Sequence, residues 1–170
     1  MKLRLIVFSG ILAIIAFFSI RTHLEKQKLS HIDCDLSIDE DVTLSRERIE
    51  RLLGQAGSTR QNGNIINEHI LSFGGDTVVF DFRFASSDIP LDRRPNSVLI
   101  RKPFGGSVHG IHLGDSASYI RAIAASKDLM FDPTNHEFKL NLTWRMRWQE
   151  RNGEITLLQL ESDCVGCYLK

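Results

Sequence analysis

The chain has no excess of charge of either sign: 21 Lys and Arg stand against 21 Asp and Glu in 170 residues. A protein that grips a nucleic-acid backbone needs a basic field, and this composition supplies none, so no nucleic-acid partner is expected. Cysteine is scarce. Three residues allow one disulfide and one leftover thiol at most. A glycine-rich phosphate cradle is also missing. The nearest approach, Gly114-Asp115-Ser116, carries an acid where such a loop uses amides and a Lys or Arg. His109 and His112 stand three apart, on opposite faces of any strand, and no third ligand is implied by spacing, so no metal and no cofactor is expected. No carboxylate pair has a reason to share a substrate. The hydrophobic fraction, 42%, is that of a chain that folds.

What is there begins with a single long apolar run. Lys2 and Arg4 precede Leu5 to Ile20, interrupted only by Ser9, Gly10 and Ser19, and Arg21 stops it. The pattern predicts a signal sequence or a signal anchor. At about 1.5 Å per residue the run covers roughly 24 Å, short of a ~30 Å hydrocarbon core unless Lys2 and Arg21 snorkel. Phe17 and Phe18 fill positions that a cleavage site keeps small, which favours an uncleaved anchor over a cleaved signal peptide. The expectation is a single-pass protein of a bacterial inner membrane. Residues 1–30 form the anchor and juxtamembrane segment, spanning through 5–20, and residues 31–170 form a periplasmic domain. In that oxidising compartment Cys164 and Cys167 read as a structural disulfide. Redox chemistry wants a helix after the pair, and here only three residues follow; half a zinc site and free thiols are the other readings.

The remainder alternates helix and strand signals. In "TLSRERIERLLGQAG", Ser45 is a candidate N-cap, Ile49, Leu52 and Leu53 share a face, and Gly54 is a stop. "NIINEHILSF" and "TVVFDFRF" read as strands around a "GGD" turn, the second with Phe80, Phe82 and Phe84 alternating with Asp81 and Arg83. Residues 86–97 carry two prolines and read as a linker, and "VLIRKPF" as a further strand. Val108 to Leu113 is short and extended, and Ala117, Ile120, Ile123 and Ala124 recur at helical spacing, with Asp115 as the expected N-cap. "EFKLNLTWRMRWQ" alternates strictly and reads as one long strand, Trp144, Met146 and Trp148 on its buried face. A three-residue loop, Arg151-Asn152-Gly153, would set Met146 opposite Leu158 and Trp144 opposite Leu160.

Two passages are therefore alike, each a short extended segment, a polar turn, a helix and a hairpin. The residues Gly110, Ile111, Leu113, Gly114, Ser116 and Ile120, with Leu44, Ser45, Ile49, Leu52, Leu53 and Gly54 in the first passage, resemble the half-unit of the small envelope proteins related to BamE lipoproteins and the beta-lactamase inhibitor protein. The resemblance covers about two-thirds of residues 33–170. It departs in lacking the usual Gly-x-Pro after the first helix and the Leu-Gly after the second. It implies a fold used for protein binding, inhibition and scaffolding, with no reaction. The expected class is α+β: an N-terminal membrane helix, then two helix-plus-antiparallel-strand units, about 33–85 and 98–163, forming a sheet with helices on one face.

"LGDS" also resembles the nucleophile block of GDSL-type esterases, in which Ser116 would attack. The one downstream histidine, His136, follows Asp132 by four residues rather than three, and only 54 residues follow Ser116. An esterase is thus the weakest reading, and the chain is expected to be no enzyme and to take no small-molecule substrate. The expected function is a membrane-anchored periplasmic module that binds another protein: an immunity or inhibitor protein that neutralises a secreted antibacterial toxin, or a structural accessory of envelope or secretion machinery. Lys139, Arg145 and Arg147, with Arg83 on a neighbouring strand, form the expected docking face, because strict alternation places them opposite Trp144 and Met146.

Overall fold

The computed structural model describes residues 2–36, 45–62, 67–84, 95–126, 129–132, 136–140 and 144–162. Among the described residues three helices, α1 (Lys2–Ser30), α2 (Arg46–Leu52) and α3 (Ala117–Ser126), accompany ten strands. The first meander is β1 (Ser58–Asn62), β2 (Asn67–Phe73), β3 (Val78–Phe84) and β4 (Ser97–Arg101). A small separate hairpin follows, β5 (Ser107–Val108) and β6 (Ile111–His112), and then α3. The second meander is β7 (Phe131–Asp132), β8 (Glu137–Lys139), β9 (Trp144–Arg151) and β10 (Glu154–Ser162). The two meanders join through their last strands into one eight-stranded antiparallel sheet, order β1-β2-β3-β4-β10-β9-β8-β7. β4 completes the first meander, whereas the sequence places residue 98 at the start of the second unit.

Register carries the period-two pattern across the whole sheet. On the inner face one row runs Phe138, Met146, Leu160, Val98, Phe80, Leu71, each directly opposite the next. A second runs Trp148, Leu158, Ile100, Val78, Phe73. Nearly all of these side chains are below 3% exposed, and Ile49 and Leu53 of the α2 region, Ile120 and Ala124 of α3, and Leu29 of α1 join them in one cluster. Burial of this continuous apolar face is the main stabilising term, at about 25 cal/mol per Å².

Three expectations are corrected here. The alternating segment 137–149 is not one strand. β8 turns back on β9, with Phe138 opposite Met146 and the Leu140 amide donating to the Trp144 carbonyl at 2.9 Å. Because 138 and 146 share parity, the alternation runs through the reversal unbroken and hides it. The β9–β10 loop has two residues, Asn152 (φ 57°) and Gly153 (φ 80°), both in the left-handed region that such a turn demands. A bulge between Ile155 and Leu157 then shifts the register by one, so Trp148 faces Leu158, Met146 faces Leu160 and Trp144 faces Ser162. The short turn and the apolar match are reconciled by that extra residue.

The third correction concerns the N-terminus and the fold class. Among the described residues no helix is long and apolar enough to cross a membrane, so neither a membrane helix nor an anchor over residues 5–20 is supported. Of the side chains described, the uncharged run Gly10–Ile20 spans about 16 Å of helix, half a hydrocarbon core. Arg21, Glu25, Lys26 and Lys28 then follow within two turns. The end of α1 belongs to the folded domain: Leu29 is fully buried and its carbonyl accepts the Gly105 amide at 2.8 Å. Gly74 approaches so closely that a Cβ there would lie 2.6 Å from Leu29 Cδ1. The class is a large antiparallel sheet with three helices, and the expected single-pass localisation loses its support.

Candidate protein-docking face

The outer face of the sheet is polar at one end and apolar in the middle. One row reads Lys139, Arg145, Glu161, Ser97, Asp81, Ile70, Arg60 from β8 to β1. The next reads Glu137, Arg147, Gln159, Leu99, Val79, Ser72, Ser58. Because β8 folds back, Lys139 stands directly across from Arg145 instead of six residues along a strand.

Two of the expected cations are held by acids on the flanking strands. Arg147 Nε donates to Glu137 Oε2 at 2.6 Å, and Arg147 Nη1 donates to Glu161 Oε2 at 2.8 Å. Arg145 Nη1 reaches Glu137 Oε1 at 3.4 Å, and Gln159 Nε2 donates to Glu161 Oε1 at 2.7 Å. Glu137 is the shared acceptor and its side chain is only 12% exposed, while Arg147 remains 40% exposed. The two short charge-assisted bonds fix the Arg147 guanidinium plane, and the 3.4 Å contact of Arg145 is weaker. Lys139 is exposed and makes no ion pair among the described residues. Beside the network Leu99, Val79 and Leu157 are partly exposed.

Sequence reasoning missed Glu137 and Glu161. Glu137 shares the odd-numbered phase of Lys139, Arg145 and Arg147, so parity alone places it on their face. Glu161 needed the β9–β10 register, which the bulge sets. Arg83 lies at an outer-face position of β3, opposite Glu68, and its side chain lies outside the described part of the structure. β4 and β10 separate β3 from β9, a gap of roughly 14 Å, so Arg83 is no strand neighbour of the network. Cys164 and Cys167 lie outside the described residues. Trp144 and Trp148 are 1% and 3% exposed and belong to the core.

The Gly114-Asp115-Ser116 turn is built for helix initiation, with the cap moved by one residue. Ser116 Oγ accepts the Tyr119 amide at 3.3 Å and lies 2.8 Å from Ser118 Oγ. Asp115 Oδ2 instead accepts the His112 amide at 2.7 Å and closes the turn before α3. Gly114 donates to the Ile155 carbonyl and Ile155 to the Asp115 carbonyl, which ties the turn to the start of β10. No histidine is among the partners of Ser116; His136 stacks on Trp148 with ring centroids 5.6 Å apart. His109 sits in the tight β5–β6 turn at φ 50°. Among the described residues no group of three or more His, Cys, Asp or Glu could hold a metal ion.

The titration of Cys34 and of Glu50 is perturbed. Burial, then the charges of Asp35 and Asp33, push the Cys34 thiol above its ordinary value, which makes it a poor nucleophile. Burial pulls the Glu50 carboxyl upward, but the Arg46 hydrogen bond, the Gly57 amide and the Arg46 charge together outweigh it and hold the carboxyl below the usual range.

Comparison of the chain with protein-family models, with curated proteins and with solved structures finds no match.

Proposed function

We propose that this chain is a non-enzymatic protein-binding module that docks its partner on the outer sheet face, acting as an inhibitor or immunity protein. The carrying observation is Arg147, clamped by Glu137 and Glu161, with Arg145 in longer contact with Glu137, beside exposed Lys139 and partly exposed Leu99 and Leu157. Arginine held in one rotamer loses little entropy on docking, and an apolar patch rimmed by such cations is the composition of an interface hot spot. The open part of this face is its β4–β8 end, since Asp81 and Ser72 farther along the same rows are only 8% and 6% exposed; the four strands there span roughly 14 Å, the scale of a hot-spot patch. The resemblance of the two helix-and-meander passages to inhibitor-like envelope proteins points the same way. A structural accessory role would use the same face.

Site-specific photo-crosslinking tests this. A crosslinker at position 139 or 149 should yield one discrete protein adduct in the native cell, and Leu99→Asp combined with Lys139→Glu should abolish it while the fold stays intact. Adducts formed only from positions on α1 or α3 would refute the reading. The captured protein separates the roles: a toxin that the chain inhibits marks an immunity protein, an assembly component an accessory.

A further inference from the structure

We propose that the groove between α1 and the end of α2 is a second docking site, for an amphipathic helix of a partner protein whose apolar seam is flanked by acidic residues. The groove encloses about 940 Å³. Its α1 wall presents Phe17, Ile20, Leu24 and Gln27, and His31 follows one residue past the helix. These positions recur at alternating steps of three and four, the spacing of a seam that receives the knobs of a second helix. The helical part of the stripe, Phe17 to Gln27, runs about 15 Å, nearly three turns. Phe17, Ile20 and Leu24 are 65%, 61% and 52% exposed, so the seam is unfilled by described residues. Leu53 is buried beside it, and Leu52, 37% exposed, forms the opposite rim.

This seam is separate from the face that α1 gives to its own domain. Thr22, Lys26 and Leu29 lie against the Gly74-Gly75 turn on the other side of the helix. The occupant follows from charge. Arg21 and Lys28 hold the position next to the seam in successive heptads, and both line the groove. Glu25 Oε1 accepts from Arg21 Nε at 2.9 Å, and Lys28 has no ion pair among the described residues. Arg48 and Arg51 flank the adjoining recess beside Leu52, again without ion pairs among the described residues. A helix with Glu or Asp beside its seam would meet complementary charge along the groove. A second copy of α1 would not: antiparallel pairing sets Arg21 and Lys28 against themselves, and parallel pairing sets Lys28 against His23.

The test is a titration of the full chain with a labelled three-heptad peptide carrying Leu along its seam and Glu beside it, read by fluorescence anisotropy. The same peptide with Lys in place of Glu, and a scrambled Glu peptide, are the controls. The Glu peptide should bind at least about tenfold more tightly than either control. Arg21→Glu combined with Lys28→Glu should invert the preference toward the Lys peptide, an exchange that loss of fold would not produce. Leu24→Asp should abolish binding, and the outer-face pair Leu99→Asp with Lys139→Glu should leave it unchanged. Equal binding of all peptides, or none, overturns the proposal. So does a concentration-dependent dimer that Leu24→Asp dissolves, which assigns the seam to a second copy. Co-sedimentation with phosphatidylcholine vesicles that Leu24→Asp abolishes would assign it to acyl chains and overturn it equally.

Discussion

Truncating Leu29 to alanine separates a helix that belongs to the domain from one that merely precedes it. Among the described residues Leu29 is the one α1 residue in the buried cluster, and it is fully buried. Its neighbours cannot close the gap easily. Gly74 and Gly75 hold left-handed backbone at φ 56° and 60°, and the Leu29 carbonyl is fixed by the Gly105 amide. A buried Leu→Ala change costs about 2–5 kcal/mol, more where the site cannot collapse, so about 3 kcal/mol is expected. For a domain of this size that is roughly 6–12 °C in Tm. Urea and thermal unfolding of the full chain, followed by fluorescence of the buried Trp144 and Trp148, supply the assay. Leu12→Ala, at a residue 60% exposed on the same helix, is the control and should leave Tm within a degree or so. If Leu29→Ala moved the midpoint no more than Leu12→Ala, the docking of α1 onto the 74–77 and 104–106 turns would be wrong.

The other outcomes test separate pieces of the fold. Gly74→Ala should destabilise by about 2 kcal/mol, because its Cβ would meet Leu29 Cδ1 on left-handed backbone, and part of that cost should vanish in a Leu29→Ala background; strict additivity in the double-mutant cycle counts against the contact. Ser116→Ala should cost about 1 kcal/mol through the lost cap, by urea unfolding, and an unchanged midpoint would dismiss the cap. Glu50 has its folded carboxyl lowered, so its contribution is present above the unfolded value near 4.5 and lost as pH falls through the lower folded value; Glu50→Gln should flatten the stability–pH curve in that acid window, and an unchanged curve would contradict the Arg46 and Gly57 contacts.

The sequence by itself determined most of the side chains that are inside, although Leu52, expected on the apolar face with Ile49 and Leu53, is 37% exposed. Period-two alternation marked Phe80, Phe82, Met146 and Trp148 as core, and helical spacing marked Ile49, Ile120 and Ala124, because burial follows local periodicity whatever the strand order. It also put Lys139, Arg145 and Arg147 on one face. Only the tertiary structure decided what those cations meet. Their anions, Glu137 and Glu161, come from strands on either side of β9, and strand neighbours are set by register, to which a reversal of matching parity and a one-residue bulge are silent. The apolar N-terminal run misled for a related reason. Hydropathy counts how apolar a helix is, but whether its last turns are held by a domain depends on backbone that arrives from far along the chain. Here that backbone is the Gly74-Gly75 turn and the Gly105 amide, closing on Leu29.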